Sequence, residues 1–110
     1  MGQSTTTLPA SRIRGRIRSI VEHEAGAHLT GVLLFGSRAR GEERPDSDWD
    51  VAVMADRDAD PMELRRRIDR ALSIDGELWD EVVQVVVLRP QDMRSHSALV
   101  LSLREDAVAL

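Results

Sequence analysis

Between Gly31 and Met54 the chain reads GVLLFGSRARGEERPDSDWDVAVM: two apolar runs separated by a polar segment that opens on Gly-Ser and closes on Asp-Trp-Asp. Both runs are too short for buried helices and are bounded by turn residues, so they read as strands, Gly31 to Phe35 and Asp48 to Met54. A third run, VVQVVVL from Val82 to Leu88, is broken only by Gln84 and stopped by Pro90. Three buried strands in so short a chain oblige the remaining segments to cover a sheet.

Those segments have the right pattern. From Pro9, Ile13, Ile17, Ile20 and Val21 recur on one helical face, with Arg12, Arg14, Arg16 and Arg18 largely off it and Gly26 as the stop. Asp60, Pro61 and Glu63 form a helix start, with Asp as N-cap, Pro at the first helical position and Glu as capping-box partner. Leu64, Ile68, Ala71 and Leu72 give that helix its buried face, and Gly76 is expected to end it. A short helix from Arg38 to Gly41, capped by Ser37, and a final helix from about Ser97 carrying Leu99, Leu103 and Ala107 complete the order. The expectation is an α/β (α+β) fold, a small mixed β-sheet flanked by helices. Residues 1–8 read as a disordered tail and residues 9–110 as a single domain, since 110 residues hold one core.

Composition removes several classes of function. The net charge of −4 argues against general nucleic-acid binding, which needs a surplus of basic residues. All the basic residues are Arg, which grips phosphate bidentately, so local placement still matters. There is no cysteine, hence no disulfide, thiolate metal site or Cys nucleophile. No apolar run approaches the ~20 residues a membrane span requires, and Met1 to Leu8 is no signal peptide, so the expected address is the cytoplasm.

The chemistry concentrates in the opening stretch. Asp48 and Asp50, two apart on a strand, project to the same face ~6.5–7 Å apart. Such a pair repels itself unless a cation intervenes, and carboxylate oxygens suit Mg²⁺, which is commonly shared with substrate phosphates. Gly36 and Ser37 open a turn where backbone and a helix start would receive a phosphate, with Arg38 and Arg40 near enough to add charge. A P-loop is excluded because the chain has no lysine. The EF-hand spacing of Asp46, Asp48 and Asp50 fails at Val51 and Arg57, where Gly and Glu are required.

Phe35-Gly36-Ser37, ten intervening residues, then Asp48-Trp49-Asp50-Val51 resembles the signature of the DNA polymerase beta-like nucleotidyltransferase superfamily. Within it, Gly36-Ser37-Arg38-Ala39-Arg40-Gly41 followed by Ser47-Asp48-Trp49-Asp50 resembles the minimal nucleotidyltransferases, over roughly Gly31 to Leu88. The resemblance implies the polymerase beta-like fold and transfer of a nucleoside monophosphate to a hydroxyl. Asp48 and Asp50 would be catalytic and bind Mg²⁺; Gly36, Ser37, Arg38 and Arg40 would bind the nucleotide, ATP. It further implies an antitoxin that pairs with a HEPN-type ribonuclease toxin, as a hetero-oligomer, and transfers AMP to a toxin tyrosine. The alternatives are an inactive antitoxin that acts by binding alone and a small-molecule nucleotidyltransferase.

One position departs from the pattern. The superfamily places a third carboxylate on the following strand, and Gln84 stands there. An amide offers a carbonyl oxygen to a metal but accepts no proton as a base. Glu81 has the wrong strand parity to substitute, and Asp80 lies about 13 Å back along the strand.

Overall fold

The computed structural model describes residues 8–110, so the expected tail lies, but for Leu8, outside the described residues. Leu8 itself is half-buried against the core. Along the chain come α1 (Ala10–Ala25), β1 (Leu29–Phe35), β2 (Trp49–Ala55), α2 (Pro61–Ser73), β3 (Val83–Leu88), α3 (Ala98–Asp106) and β4 (Val108–Ala109). Short 3-10 turns occupy Gly26–His28 and Pro90–Arg94.

The strands form one mixed sheet in the order β3-β2-β1-β4. β1 is antiparallel to β2 and β4, while β2 and β3 run parallel. The parallel pair needs a crossover, and α2 provides it. Asp60 caps that helix as its sequence requires, its carboxylate accepting the Glu63 N–H at 3.3 Å, with Pro61 in the first turn. α2 stops at Ser73 rather than running to Gly76, because the Asp75 carboxylate accepts the Glu77 N–H and starts a turn.

Alternation along the strands assigns the two faces of the sheet. Val32, Leu34, Trp49, Val51, Val53 and Val85 meet Ile13, Ile17, Ile20 and Val21 of α1 and Ile68 and Leu72 of α2 in one buried cluster. The other face receives Phe35, Asp50 and Gln84, which lie side by side across three strands. α3 lies against β1 and buries Val100 and Leu103.

The C-terminal segment departs from expectation. α3 ends at Asp106, Ala107 leaves it in extended conformation, and Val108–Ala109 pair with Leu34 and Leu33 as β4. Leu110 is buried in the main core and donates its N–H to the Val32 carbonyl at 3.0 Å. A strand of two residues offers no periodicity to read, so only its distant partner defines it. Among the described residues, no helix is long and apolar enough to cross a membrane.

Candidate functional site

β1 ends at Gly36, whose φ of 76° is a left-handed conformation that favours glycine. The Gly36 carbonyl accepts the N–H groups of Ala39 and Arg40 at 3.1 and 3.2 Å, and the Ser37 carbonyl accepts that of Glu42 at 2.9 Å. These bonds make a closed turn, so the expected helix from Arg38 to Gly41 does not form. Gly41, at φ 72°, reverses the chain before a helical ladder can propagate. A helix dipole is therefore missing from the site; the Ser37 hydroxyl and the turn's leading N–H groups remain to meet an anion.

Gly36 is needed for a second reason. A Cβ built on it would lie 2.2 Å from Asp50 Oδ2 and 3.1 Å from its Cγ. The Asp50 carboxylate thus rests directly on the Gly36 backbone, joining the turn and the acidic strand into one structure. The sequence places a phosphate against this turn; the group that rests on the Gly36 backbone itself is a carboxylate of the same chain.

Asp50 is half-buried and pairs across the sheet with Phe35 on one side and Gln84 on the other. Desolvation pushes its carboxyl above the ordinary range; the nearby Asp48 charge adds to the rise and Arg40 opposes it. Asp48 immediately precedes the strand, and its Oδ2 accepts the Gln84 Nε2 at 2.9 Å. Asp48, Asp50 and Gln84 are thereby gathered on one face, at the end of the sheet where Gly36 turns.

The two arginines separate. The Arg38 guanidinium stacks 3.9 Å from the centroid of the Trp49 ring and donates to the Ser47 carbonyl from Nε and Nη2, at 3.1 and 2.8 Å. Trp49 is 3% exposed on the helix side of the sheet, where its Nε1 donates to Glu81. Arg38 therefore braces the loop on the side away from Asp50. Arg40 stays with the carboxylates: its charge reaches Asp50, and it pairs with Glu42 at 2.8 Å and with Asp106 at 3.4 Å. Asp106, at the end of α3, was not foreseen, since nothing in its local sequence ties it to a loop 66 residues earlier.

The match to a family model decides what this arrangement belongs to: residues 16–100 match "Polymerase beta, Nucleotidyltransferase". The chain belongs to the polymerase beta nucleotidyltransferase family. Its mixed sheet with helices is that fold. A solved minimal nucleotidyltransferase is similar at 26% identity and TM-score 0.66, over 96% of this chain and 100% of the other. A solved protein from Sulfolobus solfataricus, assigned as a nucleotidyltransferase, is similar at 25% identity and TM-score 0.54, over 96% and 90% of the two chains. The fold also recurs in a toxin-antitoxin structure with AMP-PNP, at 22% identity and TM-score 0.59, over 86% and 69% of the chains. No curated protein matches.

Within this nucleotidyltransferase fold, the donor set can be tested for a divalent cation. Among the described residues no group of three His, Cys, Asp or Glu side chains converges. Two carboxylates do converge, one raised in pKa by burial and then by its neighbour, with an amide in contact. That set fits Mg²⁺, which is usually held by one or two carboxylates and completes its shell with water and substrate phosphates.

Proposed function

We propose that this chain is a minimal nucleotidyltransferase-type antitoxin that binds ATP with Mg²⁺ and neutralises a HEPN-type toxin by transferring AMP to a toxin tyrosine hydroxyl. The observation that carries the reading is the convergence of Asp48, Asp50 and the Gly36 turn, with the Asp50 carboxylate seated on the Gly36 backbone. Its partner is inferred from the likeness of fold to a toxin-antitoxin structure.

Asp48 and Asp50 would hold Mg²⁺, which supplies charge neutralisation at the transferred phosphoryl group and at the leaving pyrophosphate. The residues present divide the remaining work. Ser37 and the adjoining N–H groups of the turn would receive phosphate oxygens. Arg40, at the rim, would exchange its exposed carboxylate partners for a phosphate, which it can grip bidentately. Arg38, held by Trp49 and Ser47, would act by keeping the loop in place rather than by touching the nucleotide. Gln84 orients Asp48 through its amide but can take no proton from the acceptor hydroxyl, so transfer would be slow.

That amide supports a second reading, an antitoxin that has kept the nucleotide fold and acts by occlusion alone. Purified protein incubated with α-labelled ATP, Mg²⁺ and a HEPN-type toxin separates the two. Label on the toxin that disappears with Asp48→Asn supports transfer. Tight, inhibitory association without label supports occlusion, and neither label nor association sinks both.

A further inference from the structure

The strand that carries Gln84 has an open outer side. β3 is the edge of the sheet, and among the described residues no strand pairs beyond it. Its inner side is fixed by the parallel ladder: Trp49 donates to the Val82 carbonyl at 2.8 Å, and Asp50 lies level with Gln84. In a parallel ladder the even-numbered residues then spend their backbone groups on β2, leaving the N–H and C=O groups of Val83, Val85 and Val87 directed outward.

Monomeric proteins blunt such an edge with charges, proline or a bulge. This strand, VQVVVL, holds none of these. It is flanked instead by Trp79 and Val82, which are 81% and 57% exposed, and a groove of about 670 Å³ runs along it under Arg65 and Asp69 of α2. An unblunted apolar edge beside an exposed tryptophan is an association surface.

The sequence of the edge says what fits it. Reading outward from Val85, the chain is apolar for three residues in each direction except at Gln84, and it ends in Glu81 on one side and Arg89 on the other. We infer that β3 pairs antiparallel with β3 of a second copy of this chain, about a two-fold axis beside Val85, to give one continuous eight-stranded sheet. In this register Val85 faces its own counterpart and Val83 faces Val87, with their outward backbone groups in bonding positions, while Val82 faces Leu88 in a non-hydrogen-bonded pair and the side chain of Glu81 faces that of Arg89. About six backbone hydrogen bonds form across the axis. Sliding by one two-residue step sets Glu81 or Arg89 opposite a valine and loses the ion pairs, so charge selects the register. Both groups have capacity to spare: Glu81 uses only Oε1 for Trp49, and Arg89 meets Asp92 through Nε and Nη2. The α2 wall repeats the self-complementarity, since Arg65 and Asp69 lie one turn apart and a two-fold axis sets them head to tail. Parity keeps the Asp50 faces of both copies on the same side of the joined sheet.

The test is the mass of the pure full chain and a cysteine pair. Sedimentation or light scattering at tens of micromolar is expected to give two 12.3 kDa chains. The chain has no native cysteine, so Val82→Cys/Leu88→Cys introduces the only thiols. Residues 82 and 88 of one copy stand about 20 Å apart, too far to join. Across the axis, 82 of one copy and 88 of the other form a non-hydrogen-bonded pair with Cα atoms about 4.5 Å apart, within disulfide range. Oxidation is expected to convert the double variant, and an equimolar mixture of the two single variants, to covalent dimer, while each single variant alone stays uncrosslinked. A wild-type mass of one chain at these concentrations overturns the inference and gives the edge to another partner. A dimer in which a single variant crosslinks as well as the double overturns the register and with it the interface.

Discussion

The Gln84 side chain donates from Nε2 to Asp48 Oδ2 at 2.9 Å, from the sheet position level with Asp50. In the proposed Mg²⁺ site, a neutral donor therefore stands where a third acid would be expected. Gln84→Asp should reverse the local electrostatics. Without divalent cation a third carboxylate repels Asp48 and lowers the melting temperature; with Mg²⁺ it gains a ligand. We expect a Mg²⁺-induced rise in melting temperature larger than that of the wild type, with faster label transfer to the acceptor. Equal Mg²⁺ responses in the two proteins would remove Gln84 from the site.

Gly36→Ala should be costly on two counts, the φ of 76° and the 2.2 Å approach of Asp50 Oδ2 to the new Cβ. About 1–3 kcal/mol is expected, or roughly 4–15 °C in melting temperature for a domain of this size. Adding Asp50→Ala should recover the steric part and leave the backbone part. Full recovery, or none, would show that one of the two contributions was misjudged.

Arg38 and Arg40, alike in the sequence, should separate by assay. Arg38→Ala removes the stack on Trp49 and two bonds to the Ser47 carbonyl, and about 1–2 kcal/mol of stability should go with them. Arg40→Ala breaks largely solvated pairs with Glu42 and Asp106 and removes a charge that favours ionised Asp50, so the melting temperature should fall less than for Arg38→Ala while nucleotide affinity drops. Denaturant titration paired with ATP binding by calorimetry checks both arms, and the opposite assignment would be plain from either.

Asp75 gives the fold an acid-sensitive tie. Its side chain is only 6% exposed and meets Arg16, whose hydrogen bond chiefly holds the carboxyl below its ordinary range. A folded pKa below the unfolded one means that the tie contributes fully above about pH 4 and is lost as pH falls through the folded value. Arg16→Ala should therefore reduce stability at pH 7 and flatten the acid limb of the stability curve. Denaturant midpoints from pH 7 to pH 2 report this, and parallel curves for the two proteins would exclude Asp75 as the source.

Asp50 should act in the opposite sense. Burial and Asp48 raise its pKa above the unfolded value, so the ionised group opposes folding at neutral pH and protonation relieves the cost as pH falls. Asp50→Asn should raise the melting temperature at pH 7 without divalent cation and abolish any rise on adding Mg²⁺. A variant that keeps the Mg²⁺ response would displace Asp50 from the metal site.

What the chain disclosed of itself depended on whether the deciding interaction was local. Asp60, Pro61 and Glu63 announced a helix start because a cap is settled within four residues, and the structure has it there. The alternation Asp48, Trp49, Asp50 sorted core from site because strand parity is a local rule. The turn after Gly36 replaces the expected helix because Gly41, at φ 72°, reverses the chain within one turn, and a composition of Ser, Arg and Ala does not announce that reversal. The pairing of Arg40 with Asp106 and the existence of β4 depend on partners far away in the chain. None of those leaves a periodic trace.

The adjacency of Trp49 and Asp50 has one further consequence. Trp49 anchors the core on one side of β2, and Asp50 rests on Gly36 on the other. If β2 slipped by one position, the indole would be thrust into water and a carboxylate driven among Ile17, Val21 and Ile68, a penalty of several kcal/mol. The packing of the tryptophan thus acts as a proofreading step for the site beside it. A population that has folded has, by the same act, set Asp48 and Asp50 on the face of the sheet opposite the core.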